Sequence, residues 1–169
     1  RPVIRLDMSR GGANAASLSS YLSITFGQYE KQYGIVAEAD ASLADRFDGI
    51  IKTACQQTDQ QVAILIDEYD SPLQHSWKTP EHDACTEIYK AVFAILKADD
   101  EYEKFVFITG ITKFTQISLF SVLNNLSNVS FDPQFAAICG ITKDEVVNNF
   151  KPEIEAMGEM NGWTPEETI

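Results

Sequence analysis

The sequence predicts an α/β domain built on a parallel sheet, and three observations predict it. Apolar runs at residues 62–66 and 105–108 have the length of strands and contain no polar residue, which is typical of strands covered by helices on both faces. An alternating segment at residues 2–9 predicts a further strand. Long stretches with helical spacing separate the three segments, and connections of that length imply parallel pairing.

The first half of the chain predicts a strand followed by two helices. Residues 2–9 place Ile4, Leu6 and Met8 on one side and Arg5 and Asp7 on the other. The first helix is predicted from apolar residues at helical spacing, with a glycine at the C-cap position: Leu18, Leu22, Phe26, Tyr29, Tyr33 and Gly34. The second is predicted in the same way, with a serine and an aspartate forming a capping box: Ser42, Asp45, Leu43, Phe47, Ile50, Ile51 and Ala54.

The second half of the predicted core adds a strand, a helix and another strand. The strand at 62–66 leads to a polar stretch, residues 73–83, which we expect to be a loop. A third helix follows, and residues 99–101, all acidic, end it before the strand that reaches Gly110. The predicted apolar stripe of this helix consists of Ile88, Val92, Ile95 and Leu96.

Beyond residue 113 the pattern changes, so we predict a core at residues 1–113 and a helical extension at 114–169. Apolar residues recur every third position from Phe114 to Leu126, which predicts one or two helical turns. Thr142 and Glu145 form a capping box for a later helix. Pro152 either lies near a break or begins the next helix.

The apolar run at 62–66 ends in Asp67, Glu68 and, after one residue, Asp70. Acidic residues at the carboxyl end of a buried parallel strand lie where open α/β sheets bind ligands. Two adjacent acids there suit magnesium–phosphate chemistry, as in a Walker B motif: Asp67 would hold Mg²⁺ through water, and Glu68 would polarise an attacking water. Asp70 is either an orienting residue or a helix N-cap.

The glycine-rich loop that would hold the phosphates does not occur in these residues, because none of the nine glycines precedes a lysine. The chain begins inside a strand pattern and without methionine. We therefore expect a piece of a longer protein, inactive alone, whose phosphate loop lies upstream. The alternative is a protein that never had such a loop.

Composition excludes some classes of function. With 13 basic and 25 acidic residues the net charge is −12, which argues against direct nucleic-acid binding by this segment. No apolar run has the length of a membrane span. Three widely separated cysteines are typical of a reduced, cytoplasmic protein rather than a disulfide framework.

Several collinear segments resemble one family. They are PVIRLD at 2–7, LIDEYDSPL at 65–73, FITGITKF at 107–114, FSVLNNL at 120–126 and the stretch 132–142. Together they resemble a bacterial family of AAA-ATPase-like proteins across residues 2–150.

The resemblance implies a partial P-loop NTPase module of the ASCE/AAA type, with three layers and a parallel sheet, and a helical extension or lid at its end. It implies Mg²⁺ and ATP as cofactors of the intact parent, and Thr109 as a residue that senses the nucleotide phosphate. The phosphate-loop strand would lie beyond the strand that ends at Thr109. A PD-(D/E)XK nuclease-like domain in the same parent chain and oligomer formation are compatible with the family.

Two other functions remain open. Asp67, Glu68 and Asp70 could form the metal cluster of a nuclease, although the chain lacks a lysine close to these acids and a basic groove. The fold could also be a non-catalytic interaction domain. Arg10 and Arg46 are the interior candidates for an arginine finger, and we interpret both as surface charges.

Overall fold

A computed structural model of the chain describes residues 1–111, 126–138 and 140–168. The chain divides into two compact units, Arg1–Asn125 and Leu126–Ile169. Three predictions concern residues outside these ranges. They are the helical turns from Phe114 onward, the boundary after residue 113 and the reduced state of Cys139. Those expectations stay predictions.

The first unit is built on a parallel sheet of three strands, as the sequence predicts. Strands β1 (Val3–Asp7), β2 (Val62–Asp67) and β3 (Glu103–Ile108) pair in the order β1-β2-β3. Leu6 lies opposite Ile66, and Ile66 lies opposite Ile108. The carboxyl ends of all three strands therefore meet at one edge of the sheet, and the residues that follow them are neighbours.

Four helices of the first unit connect these strands. They are α1 (Ala15–Tyr33), α2 (Leu43–Thr58), α3 (Ser71–Ser76) and α4 (His82–Ala98), with short 3₁₀ turns at Met8–Gly11 and Asp100–Tyr102. Gly34 ends α1 at a φ of 65°, a conformation that glycine adopts without steric cost. Ser42 and Asp45 form the predicted capping box of α2.

One face of the sheet forms the core of this unit. Ile4, Leu6, Ile64 and Ile66 are at most 1% exposed, because the apolar faces of α1, α2 and α4 pack together over them. Phe26 and Phe47 stack there with ring centroids 5.2 Å apart. Burying such side chains contributes roughly 1.5–3 kcal/mol each.

The opposite face is not buried by the described residues, so the prediction of strands buried on both faces is wrong for this part of the chain. Val3 is 48% and Phe105 53% exposed, and Leu65 is half-buried. The described residues form two layers, one of sheet and one of helix. The third layer that the family resemblance implied stays a prediction, because an apolar strand pattern alone does not reveal which chain segment supplies the cover.

Helix α3 corrects the expectation of a loop at residues 73–83. Pro72 occupies the first turn of α3, where its missing N–H is harmless, and Leu73 and Ser76 are fully buried. The apolar stripe of α4 is also shifted from the prediction, since Ile88 and Ile95 are only half-buried. The buried residues are Cys85, Tyr89, Val92, Phe93 and Leu96.

Arg46 is not the surface charge that the sequence suggested. Its guanidinium donates two hydrogen bonds to the Glu30 carboxylate, at 2.6 and 2.7 Å, and a third to Ser23 Oγ at 2.6 Å. The side chain of Arg46 is 15% exposed and that of Glu30 10%. Arg46 is thus engaged in joining α2 to α1, a structural role that does not suit an arginine finger.

The outer edge of β1 is covered by two tyrosines of α1. The Arg5 N–H donates to Tyr29 Oη at 2.7 Å, and the Asp7 N–H donates to Tyr21 Oη at 2.9 Å. These hydroxyls occupy the positions of a neighbouring strand, which protects the edge from further pairing. No described residue covers the outer edge of β3 in this way.

The second unit contains a 3₁₀ turn at Pro133–Phe135 and helices α5 (Lys143–Asn149), α6 (Lys151–Asn161) and α7 (Pro165–Thr168). Thr142 and Glu145 form the capping box predicted for α5. Pro152 lies in the first turn of α6 and so begins that helix. Among the described residues of both units, no helix has the length and apolar character to cross a membrane.

Candidate functional site

The carboxyl edge of the sheet gathers polar residues from all three strands. Asp7 lies opposite Asp67 in the β1–β2 register. Thr109 follows Ile108, the partner of Ile66, so it is the next neighbour of Asp67. Residues opposite each other share a face, and Asp7, Asp67 and Thr109 therefore form a row across the edge.

Asp67 accepts a hydrogen bond from Thr109. Thr109 Oγ1 lies 2.5 Å from Asp67 Oδ1, and the Thr109 N–H donates to the Ile66 carbonyl at 2.8 Å. The bond fixes one carboxylate oxygen, while the other lies 3.6 Å from Arg5 Nη2. The side chains of Asp67 and Arg5 are 49% and 66% exposed, so this ion pair contributes little stability and leaves Asp67 accessible.

Glu68 leaves the strand in a left-handed conformation, with φ 52°. Residues other than glycine rarely adopt this region, and it costs about 1–2 kcal/mol. Two backbone bonds hold the turn: the Tyr69 N–H donates to the Thr109 carbonyl and the Ser71 N–H to the Glu68 carbonyl, both at 2.9 Å. Non-glycine residues in this conformation cluster at functional sites, where the surrounding structure maintains the strain.

Asp70 points into the protein. It is 1% exposed, and its carboxylate accepts the Ile111 N–H, at 3.2 and 3.3 Å from the two oxygens, and the Gln74 side-chain amide. It occupies the N-cap position of α3, yet its side chain forms no capping hydrogen bond. Of the two predicted roles, the geometry favours orientation over capping.

Gly110 lets the loop after β2 (residues 68–70) and the loop after β3 (residues 109–111) approach each other. A Cβ at this position would lie 2.6 Å from ring carbons of Tyr69 and would also clash with the Asp70 carboxylate. The loop after β3 therefore lies directly against the loop after β2, and a side chain at residue 110 would separate them.

The oxygen atoms at this edge suit one of the ways in which proteins bind Mg²⁺. No group of three or more His, Cys, Asp or Glu residues able to hold a metal occurs in the described part of the chain. Mg²⁺ commonly keeps several waters and is bound by one or two carboxylates together with substrate phosphates. The accessible Asp67, beside Asp7 and the Thr109 hydroxyl, fits that mode; a two-metal cluster that includes the buried Asp70 does not fit.

Sequence reasoning identified Asp67, Glu68 and Thr109, and the structure brings them together at one edge. The sequence alone did not point to Asp7 and Arg5, which lie on the same face of β1. A signal for Asp7 was present, because it ends the first predicted strand as Asp67 ends the second. Neither the left-handed turn at Glu68 nor the contact between Asp70 and Ile111 has a sequence signal that we recognise.

A parallel sheet with acidic and hydroxyl residues at its carboxyl edge is typical of nucleotide-binding α/β proteins. Among known protein families, the AAA-ATPase-like family, described as predicted AAA-ATPase, matches residues 1–120 of the chain. The chain therefore belongs to the AAA-ATPase-like family.

One curated relative aligns with nearly the whole chain. An uncharacterised protein in the vnfD 5′ region of Azotobacter chroococcum mcd 1 is 30% identical over 168 residues, covering 96% of this chain and 32% of the relative. The chain thus spans about a third of that relative. No solved structure matches the chain.

Proposed function

We propose that this chain supplies the acidic half of a site that binds and hydrolyses Mg-ATP in the intact parent protein. The observation that carries the proposal is the hydrogen bond of 2.5 Å from Thr109 to Asp67, adjacent to Glu68 in its left-handed turn. Family membership makes nucleotide binding the general expectation. Mg-ATP and hydrolysis are the finer steps proposed here.

Each residue has a distinct role in this proposal. Asp67 would hold Mg²⁺ through water, and Mg²⁺ would neutralise charge that develops on the phosphates. Glu68, placed off the strand axis by its φ of 52°, would orient and polarise the attacking water. Thr109 holds Asp67 in place through its hydrogen bond, and its hydroxyl would sense the terminal phosphate.

The phosphates themselves need a second set of residues, and the sheet indicates where it attaches. The outer edge of β1 is covered by Tyr21 and Tyr29, whereas β3 ends the strand order with no described neighbour. An additional parallel strand would therefore pair with β3 and place its loop beside Thr109. This arrangement supports the expected position of the phosphate-loop strand and the expectation that the present chain alone does not turn over ATP.

The proposal is tested on the full-length parent protein. Calorimetry with Mg-ATP and a phosphate-release assay would compare the wild type with Asp67→Ala and Glu68→Gln. Glu101→Gln is the matched control, because Glu101 lies just before the amino end of β3, away from the site. We expect Glu68→Gln to bind ATP but release phosphate at least about 100-fold more slowly, and Asp67→Ala to require more Mg²⁺. Absence of nucleotide binding by the wild type would favour the interaction-domain alternative.

The nuclease alternative gains no support from the geometry. Asp70 is buried and engaged with Ile111 and Gln74, so it is unavailable to join Asp67 and Glu68 in a metal cluster. Cleavage of DNA with Mn²⁺ and without nucleotide would nevertheless revive that alternative, and the same protein preparation can be assayed for it.

A further inference from the structure

Asp70 differs from the other acids of the run that follows β2. It is 1% exposed, whereas the side chain of Asp67 is 49% exposed. Both oxygens of Asp70 lie within hydrogen-bonding distance of the N–H of Ile111, 41 residues further along the chain. The Ile111 N–H lies 3.3 Å from Asp70 Oδ1 and 3.2 Å from Oδ2. Asp70 therefore ties the loop after β2 to the loop after β3.

A second tie lies beside the first. The Tyr69 N–H donates to the Thr109 carbonyl at 2.9 Å, and the Tyr69 ring fills the space where a Cβ on Gly110 would lie. These contacts continue the β2–β3 pairing beyond the ends of the strands. Glu68 comes directly before Tyr69 and Asp70, and Thr109 comes directly before Gly110 and Ile111. The contacts of Asp70 with Ile111 and of Tyr69 with Thr109 therefore fix Glu68 relative to Thr109.

Breaking the tie at Asp70 would be costly while the loops stay closed. The buried partner is Asp70, which is 1% exposed, whereas Ile111 is 80% exposed. A buried carboxylate that loses hydrogen bonds keeps its desolvation cost. If residues 109–111 move away from Asp70 so that water replaces the Ile111 N–H, Thr109 moves away from Asp67 as well. The closed arrangement of the site is thus coupled to a residue that does not face it.

We propose that Asp70 is a positioning residue, whose buried carboxylate holds the loop after β3 against the loop after β2 and thereby fixes Thr109 relative to Asp67 and Glu68. It does not touch the nucleotide. The catalytic consequence rests on the proposed ATPase function, whereas the coupling of the two loops does not.

The coupling is tested by hydrogen exchange on the chain itself, with Asp70→Ala and the more conservative Asp70→Asn. Asp99→Asn is a matched control, because Asp99 is also buried, at 2% exposure, but follows α4 at the opposite edge of the sheet. We expect the amides of Tyr69 and Ile111 to exchange about tenfold faster or more in Asp70→Ala, with a smaller increase in Asp70→Asn. Asp99→Asn should leave both amides unchanged.

The proposal is overturned if those two amides keep their protection, or if protection falls equally throughout α1 and α2, because Asp70 would then be an ordinary stabilising residue. Should Asp70→Ala fail to fold, Asp70→Asn decides by the same criterion.

Kinetics of the full-length parent distinguish a positioning role from a purely structural one, because the first lowers kcat without weakening Mg-ATP binding. We expect kcat for Mg-ATP hydrolysis to fall about tenfold or more in Asp70→Asn, with the Kd for Mg-ATP within about threefold of the wild type. An unchanged kcat in Asp70→Asn contradicts the positioning role. So does a result in which kcat and Mg-ATP affinity fall together and Asp99→Asn behaves in the same way. A wild type without turnover refutes the ATPase function instead, and amide exchange still decides the coupling.

Discussion

The hydroxyl of Thr109 lies 2.5 Å from a carboxylate oxygen of Asp67, although Thr109 is 42 residues further along the chain. The parallel pairing of β2 with β3 brings the two together. This bond leaves the second oxygen of Asp67 accessible beside Arg5. It is the contact on which the proposed metal site depends most directly.

Replacing Thr109 by valine should remove this bond while keeping the shape of the side chain. We expect the free energy of unfolding of the chain to fall by about 1 kcal/mol and phosphate release by the parent to slow. Thr109→Ser, which retains the hydroxyl, is the control and should stay close to the wild type in both urea denaturation and turnover. Equal turnover of the valine and serine variants would show that the hydroxyl has no role.

The left-handed turn at Glu68 predicts a reversal of the usual order of alanine and glycine. Glu68→Gly should be more stable than Glu68→Ala by about 1 kcal/mol, because glycine adopts a positive φ without steric cost. Glu87, exposed in the middle of α4, is the control, and there alanine should be more stable than glycine by about 1 kcal/mol. Urea denaturation of the four variants measures both differences, and the same order at both positions would exclude a strained turn.

Gly110 should not tolerate even a methyl group. Gly110→Ala forces contact with the Tyr69 ring and the Asp70 carboxylate, and we expect it to lower the free energy of unfolding by about 1–3 kcal/mol. Gly49 lies in α2 with no atom within 4 Å of its Cβ position, so Gly49→Ala should stabilise the helix by up to about 1 kcal/mol. Thermal unfolding compares the two, and a neutral Gly110→Ala would mean that the loops are further apart than described.

Glu103 should make stability depend on pH. Burial, together with the charges of Asp99 and Asp100, raises the pKa of Glu103 from 4.5 to about 8, and its Oε1 has no described partner. Because the folded chain binds this proton more tightly than the unfolded chain, the stabilisation is complete below pH 4.5 and is lost as the pH rises to about 8. Denaturation midpoints between these pH values measure the decline.

A matched pair of variants isolates the contribution of this one carboxyl group. Glu103→Gln should flatten the decline, whereas Glu101→Gln, at an exposed position two residues earlier, should leave it intact. A slope that persists in Glu103→Gln would assign the titration to another group.

The sequence by itself determined much of the first unit, since its information is local. Apolar spacing placed α1 and α2, and Ser42, Gly34 and Thr142 marked helix ends through bonds to residues three or four positions away. The carboxylates at the end of β2 predict a candidate site, because the end of a parallel strand faces the ligand-binding edge. The family resemblance, stated for residues 2–150, was confirmed by a family match over residues 1–120.

Only the tertiary structure decided which faces are covered and which distant groups meet. The apolar residues of β2 and β3 have the same character whether a helix covers them or not, so Phe105 looked buried and is 53% exposed. Asp70 and Asp67 are chemically identical carboxylates in the sequence, yet the first is 1% exposed in the fold and the side chain of the second is 49% exposed. Burial and long-range hydrogen bonds depend on how elements far apart in the chain pack together, and local sequence patterns do not specify that packing.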